Sequence, residues 1–94
     1  MPAKFSVVIY SRPGCHLCDE AKQIIAAAGH VDEYTLDEIN IESDPELVNR
    51  YQHDIPVITI NGIETFKHRL TVEQFQSAIA RHLLSPYDLR QGKN

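Results

Sequence analysis

The sequence predicts an α/β fold of alternating strands and helices, in the order β-α-β-α-β-β-α. Three observations predict it. The apolar run Phe5-Ser6-Val7-Val8-Ile9-Tyr10 passes through a Pro-Gly turn into a helical pattern. The β-branched run Val57-Ile58-Thr59-Ile60 stops at Asn61-Gly62, the dipeptide most favourable for a tight hairpin. Two helix-start signals, Ser43-Asp44-Pro45-Glu46 and Thr71-Val72-Glu73-Gln74, place further helices before and after that hairpin.

Each element has a local cause. Phe5 to Tyr10 is nearly continuous in apolar, β-branched and aromatic residues, which marks a strand covered on both faces. Leu17, Cys18, Ala21, Ile24, Ile25 and Ala28 then recur at helical spacing, and Gly29 offers a left-handed stop. Leu36 to Ile41 reads as a second strand with Ile39 and Ile41 on one face. Two strands joined by a helix imply a right-handed βαβ unit with parallel strands. In the second helix Pro45 stands at or near the first helical position, Leu47, Val48 and Tyr51 supply a short apolar stripe, and the end falls near Gln52. Ile63 to Lys67 returns from the hairpin as an antiparallel edge strand. The last helix has Val72, Phe75, Ile79 and Leu83 on its apolar stripe and is terminated by Ser85-Pro86. The tail from Tyr87 to Asn94 shows no periodicity, so the ordered core is expected over about residues 4–84. No internal repeat is present.

Composition narrows the class. A chain of 94 residues is one domain, long enough to bury roughly two-thirds of its unfolded surface without metal or disulfide staples. Its 43% hydrophobic and 23% charged content is that of a globule rather than a disordered chain. A net charge of −4 disfavours nucleic acid and anionic membranes as partners. With no long apolar span, and with Phe5 to Tyr10 too short for a signal-peptide core, the expected location is the cytoplasm, or an organelle if a transit peptide has been removed. In a reducing compartment a lone C-x-x-C is catalytic more often than structural.

Both cysteines lie in Ser11-Arg12-Pro13-Gly14-Cys15-His16-Leu17-Cys18. If Cys15 ends the loop, Cys18 sits three residues along the first helical turn and the two sulfurs lie on one side of the helix end. Free amides and the positive dipole end favour a thiolate at Cys15, below the free-cysteine pKa of about 8.5. A nucleophilic thiolate beside a resolving thiol is the working part of a dithiol–disulfide oxidoreductase. Asp19 and Glu20 suit the helix dipole but oppose that thiolate. Other readings stand beside this one. Such a pair is also half of a zinc or iron–sulfur site, although no other cysteine is present to complete four ligands, so no metal is expected. It can also be a pair of small apolar core residues, against which the Pro-Gly turn argues.

The run Tyr10 to Cys18 resembles the active-site run of glutaredoxins, with a basic residue just before Pro-Gly-Cys. Cys-His-Leu-Cys, with Ser43-Asp44-Pro45-Glu46-Leu47 and Tyr51 ahead of Ile55-Pro56-Val57, is closer still to a small glutaredoxin-like family of largely uncharacterised proteins. The resemblance covers the chain up to Leu83. It implies a thioredoxin-like, glutaredoxin-type α/β fold: three layers, three helices, and a four-stranded mixed sheet. The implied strand order is second, first, third, fourth, with the third and fourth antiparallel to the first two. It further implies that Cys15 attacks a mixed disulfide and Cys18 resolves it. Pro56 matches a cis-proline facing the pair, and Ile55 would offer backbone groups to an extended peptide or glutathione. Arg12 would meet a glutathione carboxylate or stabilise the thiolate, and His16 as a cation would favour the thiolate; the plain alternative for both is an exposed, solvated side chain. Tyr10 would edge the groove or simply pack.

The implied activity is reduction of protein disulfides or glutathionylated proteins by a monomer without tightly bound cofactor. Glutathione, as co-substrate, or a thioredoxin-type reductase would supply electrons. Two alternatives are an iron–sulfur cluster shared by two chains through Cys15 and two glutathiones, and a thioredoxin-fold binding module without turnover. The chain departs from glutaredoxins that bind glutathione well: no glycine pair stands between Ile63 and Thr71. Lys67-His68-Arg69 stands there instead, either an anion site or a solvated edge-strand charge run.

Overall fold

The computed structural model describes residues 5–29 and 32–84. The expected stop at Ser85-Pro86, the tail from Tyr87 and the side chain of Leu83 lie outside the described residues. The elements are β1 (Phe5–Ser11), α1 (His16–Ala28), β2 (Tyr34–Asn40), a single 3-10 turn (Ile41–Ser43), α2 (Pro45–Tyr51), β3 (Val57–Ile60), β4 (Ile63–Lys67) and α3 (Val72–Leu84). The sheet order is β2-β1-β3-β4, with β1 and β2 parallel and β1 antiparallel to β3. One expectation is corrected here. Because the two-residue turn reverses the chain, β4 is antiparallel to β3 and so runs in the same direction as β1 and β2.

The hairpin follows the sequence closely. Asn61 and Gly62 both have positive φ, at 52° and 84°, as a twist-matched two-residue turn demands. Asn61 does more than turn the chain. Its N–H donates to the Ser6 carbonyl at 2.8 Å and its side-chain oxygen accepts the Ser6 N–H at 2.9 Å, tying the hairpin to β1.

Alternation along β1 splits the core into two layers. Val7 and Ile9 point with Ile58 and Ile60 toward α1 and α3, where Ile25, Phe75 and Ile79 complete the larger cluster. Tyr10 and Val57 point the other way, toward Ile41, Leu47, Val48 and Tyr51 on the α2 side. The seven-residue α2 is capped as its sequence predicts: the Asp44 carboxylate accepts the Glu46 N–H, with proline in the first turn.

β2 differs from its expectation. The strand begins two residues earlier and ends at Asn40, and Ile41 belongs to the following 3-10 turn. Asn40 stops it by accepting the Glu42 N–H on its side chain at 2.8 Å and the Ser43 hydroxyl on its carbonyl at 2.7 Å. Ile41 is fully buried against Tyr51 and Val57, whereas Leu36 is 45% exposed. As an edge strand with one neighbour, β2 buries only its first residue, Tyr34, so periodicity in its sequence carries little information.

Candidate active site

The loop between β1 and α1 is built by a tight turn. Arg12-Pro13-Gly14-Cys15 closes with the Cys15 N–H donating to the Arg12 carbonyl at 3.3 Å. Proline at its second position and glycine at φ 79° at its third fit a type II turn. That turn delivers Cys15 to the N-cap of α1 in an extended conformation. Its sulfur accepts the Cys18 N–H at 3.1 Å, one of the helix donors left free at an N-terminus. Cys15 and Cys18 are joined as a disulfide with Cα atoms 5.2 Å apart. Cys15 is partly exposed and Cys18 only 2% exposed, so the first cysteine is the more accessible of the two.

Strand register brings the second half of the site to the same end of the sheet. Tyr10 pairs with Val57, so the loop leaving β1 and the segment entering β3 emerge side by side. The Ile55–Pro56 peptide bond is cis, Pro56 is buried and Ile55 is half-buried against the Tyr10 and Tyr51 cluster. Tyr10 and Tyr51 pack with ring centroids 4.8 Å apart, and the Tyr51 hydroxyl donates to Glu64 at 2.8 Å, pinning α2 to β4. The packing reading of Tyr10 therefore holds. Arg12 and His16 are both exposed, Arg12 on the loop and His16 at the first position of α1.

Three residues beside the pair are ones that sequence reasoning missed. A cleft of about 340 Å³ opens on the Cys18 side of the loop, lined by Ser11, Arg12, Lys22 and Glu38 among others. Within it the buried Ser11 hydroxyl donates to the Glu38 carboxylate at 2.7 Å, and the Lys22 ammonium donates to both its oxygens at 3.1 and 3.2 Å. The Ser11 bond, and then Lys22, hold the Glu38 carboxyl below its ordinary range against a burial effect of opposite sign. The bond to Glu38 raises Lys22. Nothing in the spacing of residues 11, 22 and 38 announces this network. It exists because parallel pairing sets Ile9 beside Glu38 and Ser11 beside Asn40.

The Lys67-His68-Arg69 cluster does not converge on a ligand. Lys67 pairs with Asp54 at 3.7 Å and Glu64 at 3.9 Å, and Arg69 with Glu20 at 3.9 Å. The His68 ring bonds the His53 carbonyl at 2.9 Å. Lys67, His68 and Arg69 thus each stand beside an acceptor of the protein. Among the described residues no group of three His, Cys, Asp or Glu side chains is placed to hold a metal ion.

A β-α-β-α-β-β-α arrangement with C-x-x-C at the mouth of α1 and a cis-proline entering β3 defines a thioredoxin-fold protein with a redox-capable cysteine pair. Comparison with known proteins gives the family: residues 6–80 match the glutaredoxin-like domain (DUF836), and the chain belongs to that family. It is 35% identical over 71 residues to a curated glutaredoxin-like protein of Dictyostelium discoideum, a match spanning 69% of this chain and 66% of that protein. Similar solved structures include protein XcR50 from X. campestris, with TM-score 0.70, 22% identity, and coverage of 79% of this chain and 95% of that one. Protein Ne2328 from Nitrosomonas europaea gives TM-score 0.68 at 24% identity, covering 83% and 94%. A chloroplastic thioredoxin z gives 0.65 at 16%, covering 82% and 76%. At these identities the structures support the fold alone.

Proposed function

We propose that this protein is a small dithiol–disulfide oxidoreductase that reduces protein disulfides or glutathione mixed disulfides through Cys15 and Cys18. The observation that carries the reading is the asymmetry of the pair: a partly exposed sulfur bonded to a helix N-terminal amide, beside a buried one. The amide and the helix end favour the Cys15 thiolate over the thiol.

The chemistry balances as two exchanges. The Cys15 thiolate attacks one sulfur of a substrate disulfide, forming a mixed disulfide and releasing the first substrate thiolate, which takes a proton from solvent. Cys18 then loses its proton and its thiolate attacks the Cys15 sulfur. The Cys15–Cys18 bond forms, the bond to substrate breaks, and the second substrate thiolate leaves. Two electrons pass from the protein to the substrate, and glutathione or an external dithiol returns them. Ile55, just before the cis-proline, serves as the backbone platform for an extended substrate. Arg12 supplies the positive charge on the loop side, and His16 adds a second when protonated.

The test is reduction of a peptide mixed disulfide, run with glutathione plus its reductase and, in parallel, with a small dithiol as electron source. Cys15→Ser is expected to abolish turnover with both donors. Cys18→Ser is expected to retain the first exchange and to accumulate a mixed disulfide visible by intact mass. Undiminished turnover by the Cys15→Ser protein would overturn the assignment.

A further inference from the structure

The two edges of the sheet differ. β4 is irregular: its register against β3 slips between Ile58 and Thr59, which pair with Phe66 and Glu64 and leave Thr65 as an extra residue. A bulge of this kind interrupts the row of backbone groups that a further strand would need. β2 has no such interruption. It pairs with β1 residue for residue from Tyr34 to Asn40, and no strand lies on its other side. A strand with one neighbour points the N–H and C=O groups of alternate residues outward, so β2 offers an unbroken row of donors and acceptors. Leu36, in the middle of that row, is 45% exposed.

We propose that the free edge of β2 receives an extended segment of a partner protein, with lysine or arginine on either side of a central apolar residue, and adds it to the sheet as a further strand. This goes beyond the redox reading, because binding at the edge requires no thiol exchange.

Charge selects the partner. From residue 32 through residue 46 the chain has no lysine, arginine or histidine, whereas Asp37, Glu38, Glu42, Asp44 and Glu46 are all exposed there. Among the described residues Glu38 alone of these has an ion-pair partner, Lys22 at 3.1 Å. Tyr34 packs with Phe75 of α3, so alternation puts Leu36 and Glu38 on the face of β2 toward α1 and α3 and Asp37 on the other. Both faces of the edge therefore carry a carboxylate. Two copies of this edge repel one another, and an acidic segment is repelled in the same way. A basic segment sets opposite charges across from Asp37 and Glu38, and an apolar residue opposite Leu36 removes its exposed surface from water. The main-chain bonds supply affinity and the side chains supply selection.

The edge also leads to the cysteine loop. Asn40 pairs with Ser11 and lines the cleft that holds Gly14 and Cys18. A partner held along β2 is thus anchored beside the cysteine pair.

The experiment titrates the isotope-labelled, oxidised full chain with the capped peptide Lys-Thr-Lys-Val-Lys-Thr-Lys at low ionic strength. Parallel titrations use the same peptide with glutamate for lysine, and two forms of the lysine peptide N-methylated at alternate residues in either register. The lysine peptide is expected to bind about tenfold more tightly than the glutamate peptide. One N-methylated form is expected to lose binding, and hydrogen exchange is expected to slow at alternate amides of β2. Asp37→Lys, a change at an exposed side chain, is expected to weaken binding about fivefold with Tm unchanged; the N-methylated peptides test the edge even where that variant does not fold. Equal binding of the lysine and glutamate peptides would overturn the proposal. So would undiminished binding of both N-methylated forms, which would mean diffuse attraction to acidic side chains, or protection at β4 in place of β2. Absence of binding at millimolar lysine peptide would overturn it as well. Each of these results leaves the redox reading untouched.

Discussion

Gly14 and Asn61 show how much single residues carry. Gly14 sits at φ 79° in the turn that presents Cys15, and a Cβ added there would meet no other atom within 4 Å. The cost of Gly14→Ala is therefore backbone strain alone, about 1 kcal/mol, read as a lower urea midpoint at unchanged m-value. Asn61→Gly keeps a backbone that tolerates φ 52° but removes the side-chain acceptor for the Ser6 N–H. A loss of about 1 kcal/mol is expected, measured the same way. Ile25 is fully buried in the larger cluster, and Ile25→Ala should remove about 2–5 kcal/mol, enough to threaten folding of a chain this small. The close cysteine pair was legible from sequence because its spacing and the Pro-Gly turn before it are local, whereas the cis bond before Pro56 was implied only by the resemblance to a family. Ser11, Lys22 and Glu38 were not legible, because each is an ordinary polar residue until register brings the three together.

At the scale of elements, caps explain why boundaries were readable where they were. The Thr71–Gln74 capping box forms with both of its hydrogen bonds in place, and α3 starts at Val72 as its sequence predicts. Thr71→Ala is expected to cost about 1 kcal/mol and to raise hydrogen exchange in the first turn of α3 more than in α1. β2 was read with its end misplaced, since a half-covered edge strand loses the alternation that a buried strand keeps. Its exposed Asp37 and Glu38 have another consequence: charged side chains on an unpaired edge oppose strand-to-strand association between molecules.

Across the whole molecule, titration links the core to pH. Burial raises the phenol of Tyr34, and burial followed by the bond to Glu64 raises that of Tyr51. A phenol that ionises less readily when folded stabilises the fold fully below its ordinary value of about 10, and that stability is lost as pH rises through the raised value. Lys22 is raised as well and acts in the same alkaline window. Glu38 is lowered, so its contribution is present above the ordinary carboxylate range and fades as pH falls through the lowered value. Its pair with Lys22 is 43% and 39% exposed, which leaves the acid effect small. Tm of the oxidised protein is thus expected to stay level through neutrality and fall above about pH 10, and to fall less steeply in Tyr34→Phe.

The amino-acid sequence by itself determined the elements whose causes are local: the buried strand Phe5 to Tyr10, the Pro-Gly turn and cysteine pair, the Asn-Gly hairpin and the capped starts of α2 and α3. Hydrogen bonds and steric limits within a few residues are sufficient to specify these. Tertiary structure alone decided the extent and burial of β2. It also decided how Lys67, His68 and Arg69 are partnered, and formed the cleft that holds Ser11, Lys22 and Glu38. Those features depend on which residues, distant in sequence, become neighbours across a sheet, and that register follows from packing the two faces of β1 at once.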